Sequence, residues 1–209
     1  MLLLNNTKNV VVLASGGGTN LQALIDAEKR GELGSGKITC VIASKADAYA
    51  LIERLRAAVP DLALRTTLLV GYPDETEEDF AELMEFVEKV RFERLGVFPY
   101  SEEEGTFSAR ELEDNVPEDV KQERVDRVMA LQNRISLEKN QARVGQREQV
   151  IIDSRQGDWY VARGRYDSPE VDQEILIPAS ERQLRRGKIY TVEITGAEEY
   201  DLYASVVAK

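Results

Sequence analysis

The chain lacks histidine altogether, and its 209 residues include one cysteine, Cys40, and one tryptophan, Trp159. Histidine is the side chain whose ordinary pKa lies nearest neutrality, so its absence removes the commonest general acid or base and the commonest nitrogen ligand for metals. A single cysteine forms no intramolecular disulfide. Cys40 sits in the apolar run 38–43, where a thiol is expected to be buried and inert. Long apolar runs are also missing: the longest, Val10–Ala14 and Leu62–Val70, the second interrupted by Arg65, fall far below the roughly 20 residues that span a bilayer. Residues 1–4 carry neither a basic flank nor a small-residue cleavage site, so no signal peptide, no membrane partner and a cytoplasmic location are expected.

What is abundant is negative charge. The formal net charge is −11, and residues 74–126 alone hold 19 Asp/Glu against 6 Lys/Arg, leaving the rest of the chain close to neutral. Such a segment repels phosphate backbones. It reads as solvated helix faces, or as a surface that attracts a basic partner. With 43% hydrophobic residues, the chain has enough apolar side chains for a packed core.

The Val/Leu run 9–15 ends in Gly16-Gly17-Gly18-Thr19-Asn20, after which Leu21, Leu24 and Ile25 fall at helical spacing. Residues 37–43 read as a second buried strand and 48–59 as a second helix. Leu64–Val70 is expected to be a third strand, Phe80, Leu83, Met84, Val87 and Val90 the apolar stripe of an otherwise acidic helix, and Leu95–Phe98 a fourth strand. Thr76 followed by acidic residues marks a helix start. Residues 99–116 read as a loop, and Pro117 opens a long helix to about Val144 with Val120, Val128, Leu131 and Ile135 on one face. After Gly145, short β-rich runs recur at roughly ten-residue spacing, which signals a small antiparallel barrel.

The fold class expected is therefore α/β: an open four-stranded parallel sheet with flanking helices, partial-barrel or Rossmann-like, followed by a small antiparallel β-barrel. The sheet edges and the stripe of Phe80, Leu83, Met84 and Val87 are expected self-association surfaces.

A glycine-rich turn between a buried strand and a helix can aim backbone N–H groups at an anion. Gly16, Gly17, Gly18, Thr19 and Asn20 are the candidate phosphate-binding residues, although a purely structural tight turn has the same appearance. Leu21 breaks the dinucleotide spacing. Gly31-x4-Gly36-Lys37 is not a P-loop, because Ile38 replaces Ser/Thr and a strand follows it.

The motifs VVVLASGGGTNLQALIDA, GELGSGKI and VIASKADAYAL make residues 1–50 resemble the N-terminal part of phosphoribosylglycinamide formyltransferase. In that family the glycine turn holds a sugar phosphate. Its catalytic Asn, His and Asp come from a later segment that has no counterpart here.

From about residue 51 the motifs change. IERLRAAVPDLALRTTLLVGYPDETEEDF, FPYSEEEGT, the VPEDVKQER and LQNRIS helix, SPEVDQEILI and EEYDLYASVV resemble the radical S-adenosylmethionine methylthiotransferase that modifies an aspartate of ribosomal protein twelve of the small subunit. Asp74 stands where that family usually has glycine. The resemblance implies three parts: 1–50 formyltransferase-like, 51–144 a partial αβ-barrel with a long terminal helix, and 145–209 a TRAM barrel similar to the oligonucleotide-binding fold. In this family Gly71, Tyr100 and Ser101 lie on segments facing the cofactor, and the TRAM barrel binds the macromolecular substrate, which points to Trp159, Arg163 and Arg165.

The parent family uses S-adenosylmethionine and 4Fe–4S clusters held by cysteine thiolates, six in all for its two clusters. With Cys40 alone, no cofactor, no metal and no catalytic residue are expected in this chain. The reading is a C-terminal methylthiotransferase portion fused to a phosphate-loop segment and catalytically incompetent. Its partner would be a basic ribosomal protein, favoured over RNA because residues 146–209 hold 9 Lys/Arg against 12 Asp/Glu. A formyltransferase-like purine-biosynthesis protein, and a binding module or engineered chimera without activity, are the alternatives.

Overall fold

A computed structural model describes residues 8–14, 30, 36–43, 46–59, 62–169 and 171–207. The chain divides into two compact units, Met1–Leu62 and Ala63–Lys209. In the first, strand β1 (Lys8–Ala14) pairs in parallel with β2 (Gly36–Ala43), from Lys8 opposite Gly36 to Ala14 opposite Ala43. Helix α1 (Ala46–Ala58) follows and buries Ile52. Gly16–Asn20 lie outside the described residues.

The second unit begins with a parallel pair, β3 (Arg65–Val70) and β4 (Arg94–Pro99), joined by helix α2 (Glu77–Val90). Helix α2 starts at Thr76, whose hydroxyl accepts the Asp79 N–H at 3.1 Å while the Asp79 carboxylate accepts the Thr76 N–H at 3.1 Å. That reciprocal pair satisfies two of the N–H groups a helix start leaves unbonded. A five-residue helix, α3 (Phe107–Glu111), capped by Thr106, stands where a loop was expected. The long helix α4 (Glu118–Gln141) then runs back along the sheet.

One face of the β3–β4 pair is covered by α2 and α4. Val70, Phe80, Val97 and Val128 form its centre, with Leu68, Leu83, Met84, Leu95, Val125 and Met129 around them. Each large apolar side chain buried in this way contributes about 1.5–3 kcal/mol. The α2 stripe, expected to be free for self-association, thus points inward, with Phe80 and Val87 fully buried.

Among the described residues no strand pairing joins the expected four-stranded sheet. β1 pairs with β2 and β3 with β4, in two separate two-stranded sheets. The physical reason lies in the second unit, where two strands and α4 already bury the stripe on α2, so no wider sheet is required to cover it. The opposite face of this pair carries Arg65, Thr67, Leu69 and Phe98, all exposed.

Strands β5 (Arg147–Gln156), β6 (Trp159–Arg163), β7 (Glu174–Pro178), β8 (Ile189–Ala197) and β9 (Asp201–Val206) close into a barrel in the order β5-β6-β7-β9-β8. Alternate residues point inward. Val150, Ile152, Tyr160, Ala162, Ile175, Ile177, Val192, Ile194, Leu202 and Ala204 fill the interior, and Leu184 joins them from a loop. The barrel is mixed, not wholly antiparallel as expected, because β7 and β9 run parallel. Closure of an odd number of strands requires this: directions cannot alternate all the way around a ring of five.

Candidate functional sites

Helix α4 joins two ends of the second unit. Its first turns lie at the carboxyl ends of β3 and β4, where ligands bind in open parallel α/β sheets. There Gly71 takes φ +74, and a Cβ placed on it would stand 2.3 Å from Cγ of Lys121. The Gly71 N–H donates to Glu75 Oε1 at 2.9 Å, and the same carboxylate receives Arg124 Nη1 at 2.6 Å. Tyr100 donates its backbone N–H to the Val70 carbonyl at 2.8 Å and packs edge-on against Tyr72, with ring centroids 5.2 Å apart.

Lys121 is 3% exposed and lies over the Tyr100 ring at 5.4 Å. It donates to Asp114 at 2.6 Å and stands 3.5 Å from Glu118. The hydrogen bond to Asp114, aided by both carboxylate charges, raises its pKa above the ordinary lysine value against the opposing effect of burial. Lys121 is therefore held as an ammonium ion and is no proton acceptor near neutrality. The Tyr100 hydroxyl is buried without a hydrogen-bond partner among the described residues, while Ser101 is exposed. Of the three residues singled out here from sequence, Gly71 and Tyr100 adjoin the Lys121 side chain and Ser101 faces solvent.

Asp74, the departure from glycine, adopts φ +67. Asn115 holds it there, accepting the Asp74 N–H at 2.9 Å and donating to its carboxylate at 2.6 Å. Aspartate tolerates this left-handed conformation because a short polar side chain bonds locally.

At the other end of α4 the barrel is anchored. Arg94 binds Asp167 of the β6–β7 loop, and Arg65, its ladder neighbour, binds Asp172 of the same loop. Arg143 reaches Gln173 at 2.5 Å and Glu148 at 2.9 Å, and Asn140 donates to the Glu198 and Glu199 carbonyls at 2.9 and 3.2 Å. The barrel is thus fixed at the amino ends of β3 and β4. The Gly71–Tyr100 end lies about 17 Å away by strand rise.

The three barrel residues chosen from sequence do not form one cluster. Trp159 opens β6, 37% exposed, and packs edge-on against Tyr203 at 5.6 Å. Arg163, four residues on, is about 13 Å away along the strand. It pairs with Asp153 at 2.9 Å. Arg165 stacks on Tyr166 at 4.4 Å within the anchored loop. Trp159 belongs instead to the free rim, where the β5–β6 turn meets the long β7–β8 loop through the Ala179 N–H to Asp158 carbonyl bond of 2.8 Å. That loop carries Arg182, Arg185, Arg186 and Lys188, all exposed. The overall balance of the barrel concealed this cluster, although the run ERQLRRGK displays it.

Residues 144–207 match the TRAM domain family. The C-terminal region resembles RimO. The ribosomal protein uS12 methylthiotransferase RimO of Phocaeicola vulgatus is 56% identical over 164 residues, covering 78% of this chain and 38% of that protein. Its namesake from Bacteroides thetaiotaomicron is 54% identical over 166 residues, with 79% and 38% covered. That from Porphyromonas gingivalis is 53% identical over 165 residues, with 78% and 38% covered. The chain therefore spans well under half the length of these curated relatives. The closed barrel is its TRAM-like part. Among the described residues no helix is long and apolar enough to cross a membrane, and no group of three His, Cys, Asp or Glu is arranged to hold a metal.

Iron–sulfur clusters of the kind the radical family uses do not fit this residue set. One thiolate, Cys40, is available where such clusters are held by several.

Proposed function

We propose that this chain is a substrate-holding C-terminal portion of a ribosomal-protein methylthiotransferase, and that it does not transfer a methylthio group by itself. The observation that carries the reading is the closed TRAM-like barrel anchored to a βαβ layer, in a chain 56% identical over 164 residues to a uS12 methylthiotransferase. On this reading the outer wall around Trp159 and Tyr203, bordered by Glu198, receives a basic ribosomal protein of the uS12 type, in a cytoplasmic setting. Aromatic anchors with acidic neighbours suit a cationic protein surface.

The N-terminal unit extends the proposal. Its glycine turn, Gly16–Asn20, would be the remnant of a formyltransferase phosphate cradle fused to the methylthiotransferase portion, and neither half would retain its chemistry. No histidine is available for formyl transfer, and no cysteine set for radical chemistry.

Isothermal titration of the full chain with purified uS12 tests the main reading. Saturable binding weakened by Tyr203→Ala supports it. Absence of binding at low salt, or methylthio transfer by the chain alone, would overturn it.

A further inference from the structure

We propose that a second copy of this chain docks in the groove between α2 and α4, inserting Ile189 and the cations that precede it on its own barrel. The contact is separate from the wall around Trp159 and Tyr203 and independent of the role assigned to that wall.

The groove opens to solvent and has a volume of about 490 Å³. Met84 of α2 and Leu131 of α4, each only partly buried, supply its apolar lining, with Glu85, Glu88, Lys89 and Arg134 around them. Arg134 and Glu88 pair across it, one from each helix. Other acids of α2 have no such partner. Glu78, Glu82 and Glu85 recur at i, i+4 and i+7, so they share one face over about 10 Å. All three are exposed and form no ion pair among the described residues. Like charges at this spacing repel and weaken the helix that carries them, so the fold gains nothing from the row. An apolar side chain surrounded by cations is what this surface fits.

The barrel presents such a knob. Ile189 opens β8 and is 64% exposed. Val192 and Ile194 fill the interior, so alternation points Ile189 outward, where it stands opposite Ile151 in the β5–β8 ladder. Arg185, Arg186 and Lys188 precede it, with Arg182 a little earlier. All four are exposed and form no ion pair among the described residues.

The knob is held in place before any partner arrives. Leu184 is buried, and its N–H donates to the Tyr160 hydroxyl at 3.2 Å. The Arg185 N–H donates to the Tyr190 hydroxyl at 3.1 Å. The turn that follows closes through Lys188 N–H to Arg185 carbonyl at 3.2 Å and is tied to β5 by the Gly187 N–H to Ile152 carbonyl bond of 2.8 Å. A surface ordered in this way loses little conformational entropy on docking.

Knob and groove lie apart within one molecule. Arg65, Arg94 and Asn140 hold the barrel by its β6–β7 loop and β8–β9 turn. The β7–β8 loop is at the opposite end, away from the βαβ layer, so Ile189 reaches a groove only in another copy. Because the two patches differ, the contact is head-to-tail and leaves one free knob and one free groove on every dimer. Association should therefore proceed beyond two copies.

Sedimentation velocity of the full chain tests this. At about 0.01 M salt the mean mass should rise with protein concentration, and at about 1 M, where the screening length is about 3 Å, the rise should be lost. Arg185→Glu with Arg186→Glu, and separately Glu82→Arg with Glu85→Arg, should each weaken association about tenfold or more without altering circular dichroism. Mixed together, these two variants should associate again, since each then offers the other an opposite charge at both contacts. Ile189→Asp should weaken association likewise. Glu102→Arg with Glu104→Arg, exposed and outside the groove, should leave it unchanged. Met84 is one of three methionines and reports the contact directly: the isotope-labelled methyl resonance missing from Met84→Leu should shift as the wild-type chain associates, and stay still in Ile189→Asp. A monomer mass at every concentration in low salt, no recovery in the mixture, or association untouched by Ile189→Asp would each overturn the proposal. A monomeric chain whose Met84 resonance responds only to added oligolysine would overturn it too, giving the groove to a foreign basic partner.

Discussion

The side chain of Lys121 fills the space that a Cβ on Gly71 would occupy, with its Cγ 2.3 Å from that position. The missing methyl group at Gly71 therefore serves packing between a strand end and α4, and its φ of +74 is one that L-residues rarely adopt. Gly71→Ala combines backbone strain with overpacking of a buried lysine. Its expected cost is about 3 kcal/mol, measured as a shift of the urea midpoint. Gly71→Ala with Lys121→Ala should recover part of the loss over the sum of the single changes. A single-variant cost under about 0.5 kcal/mol would show that the turn relaxes freely.

The Arg94–Asp167 pair links the barrel to the βαβ layer. The Asp167 side chain is almost wholly buried and that of Arg94 largely so. Removing the arginine leaves a buried carboxylate with no charged partner, so Arg94→Met should destabilise by about 3 kcal/mol. Asp167→Asn keeps the shape and should cost less. In the double variant the two losses should not add, because they remove one interaction. Strict additivity in equilibrium unfolding would mean that the pair contributes nothing as a pair.

Asp172 gives the anchor a pH dependence. Burial pushes its carboxyl pKa up, but the Arg65 guanidinium and the Ser168 N–H outweigh burial, and the net direction is down. A depressed folded-state value stabilises the protein above the unfolded carboxyl pKa of about 3.9 and loses that contribution as pH falls through the folded value. Unfolding midpoints should therefore show no Asp172 effect between neutrality and pH 5, and a loss below about pH 4. Because Arg65 is half exposed, the contribution is about 1 kcal/mol or less. Asp172→Asn should lower stability at neutral pH and flatten the acid limb. A variant with an unchanged acid limb would remove Asp172 from the account.

Local patterns in the sequence carried much of this architecture. The Thr76 cap, the α2 stripe, Pro117 before α4 and the strand spacing after Gly145 each describe interactions within a few residues, and each lies where the pattern placed it. Two kinds of feature were not legible. Strand pairing is set by partners far apart in sequence, so neither the division into two small sheets nor the parallel β7–β9 contact follows from periodicity. The buried face of α4 was expected from Val120, Val128, Leu131 and Ile135, yet Lys121, Arg124 and Gln132 are also buried on it. Lys121 and Arg124 meet acidic residues there, and Gln132 donates to the Phe92 carbonyl at 3.1 Å. Polarity alone points such residues outward; only their partners bring them in. The cations of the free rim escaped notice for a related reason, since a balance taken over the whole barrel averages them against acids at its anchored end.

The cysteine count leads to the last expectation. In cluster-bearing proteins iron is held chiefly by thiolates, with histidine replacing two of the four in Rieske centres, and a chain with one cysteine and no histidine has no substitute donor set. Carboxylates are abundant, but among the described residues none gather with others in a metal-binding arrangement. Anaerobic incubation of the chain with ferrous iron and sulfide, followed by desalting, should leave less than about one iron per cluster-equivalent and no sulfur-to-iron absorption in the visible. Cys40→Ala should behave identically. Stoichiometric iron with cluster-type absorption, abolished by Cys40→Ala, would mean that copies of the chain pool their single thiolates around a shared cluster, and the chain would then have to be reconsidered as part of a redox assembly.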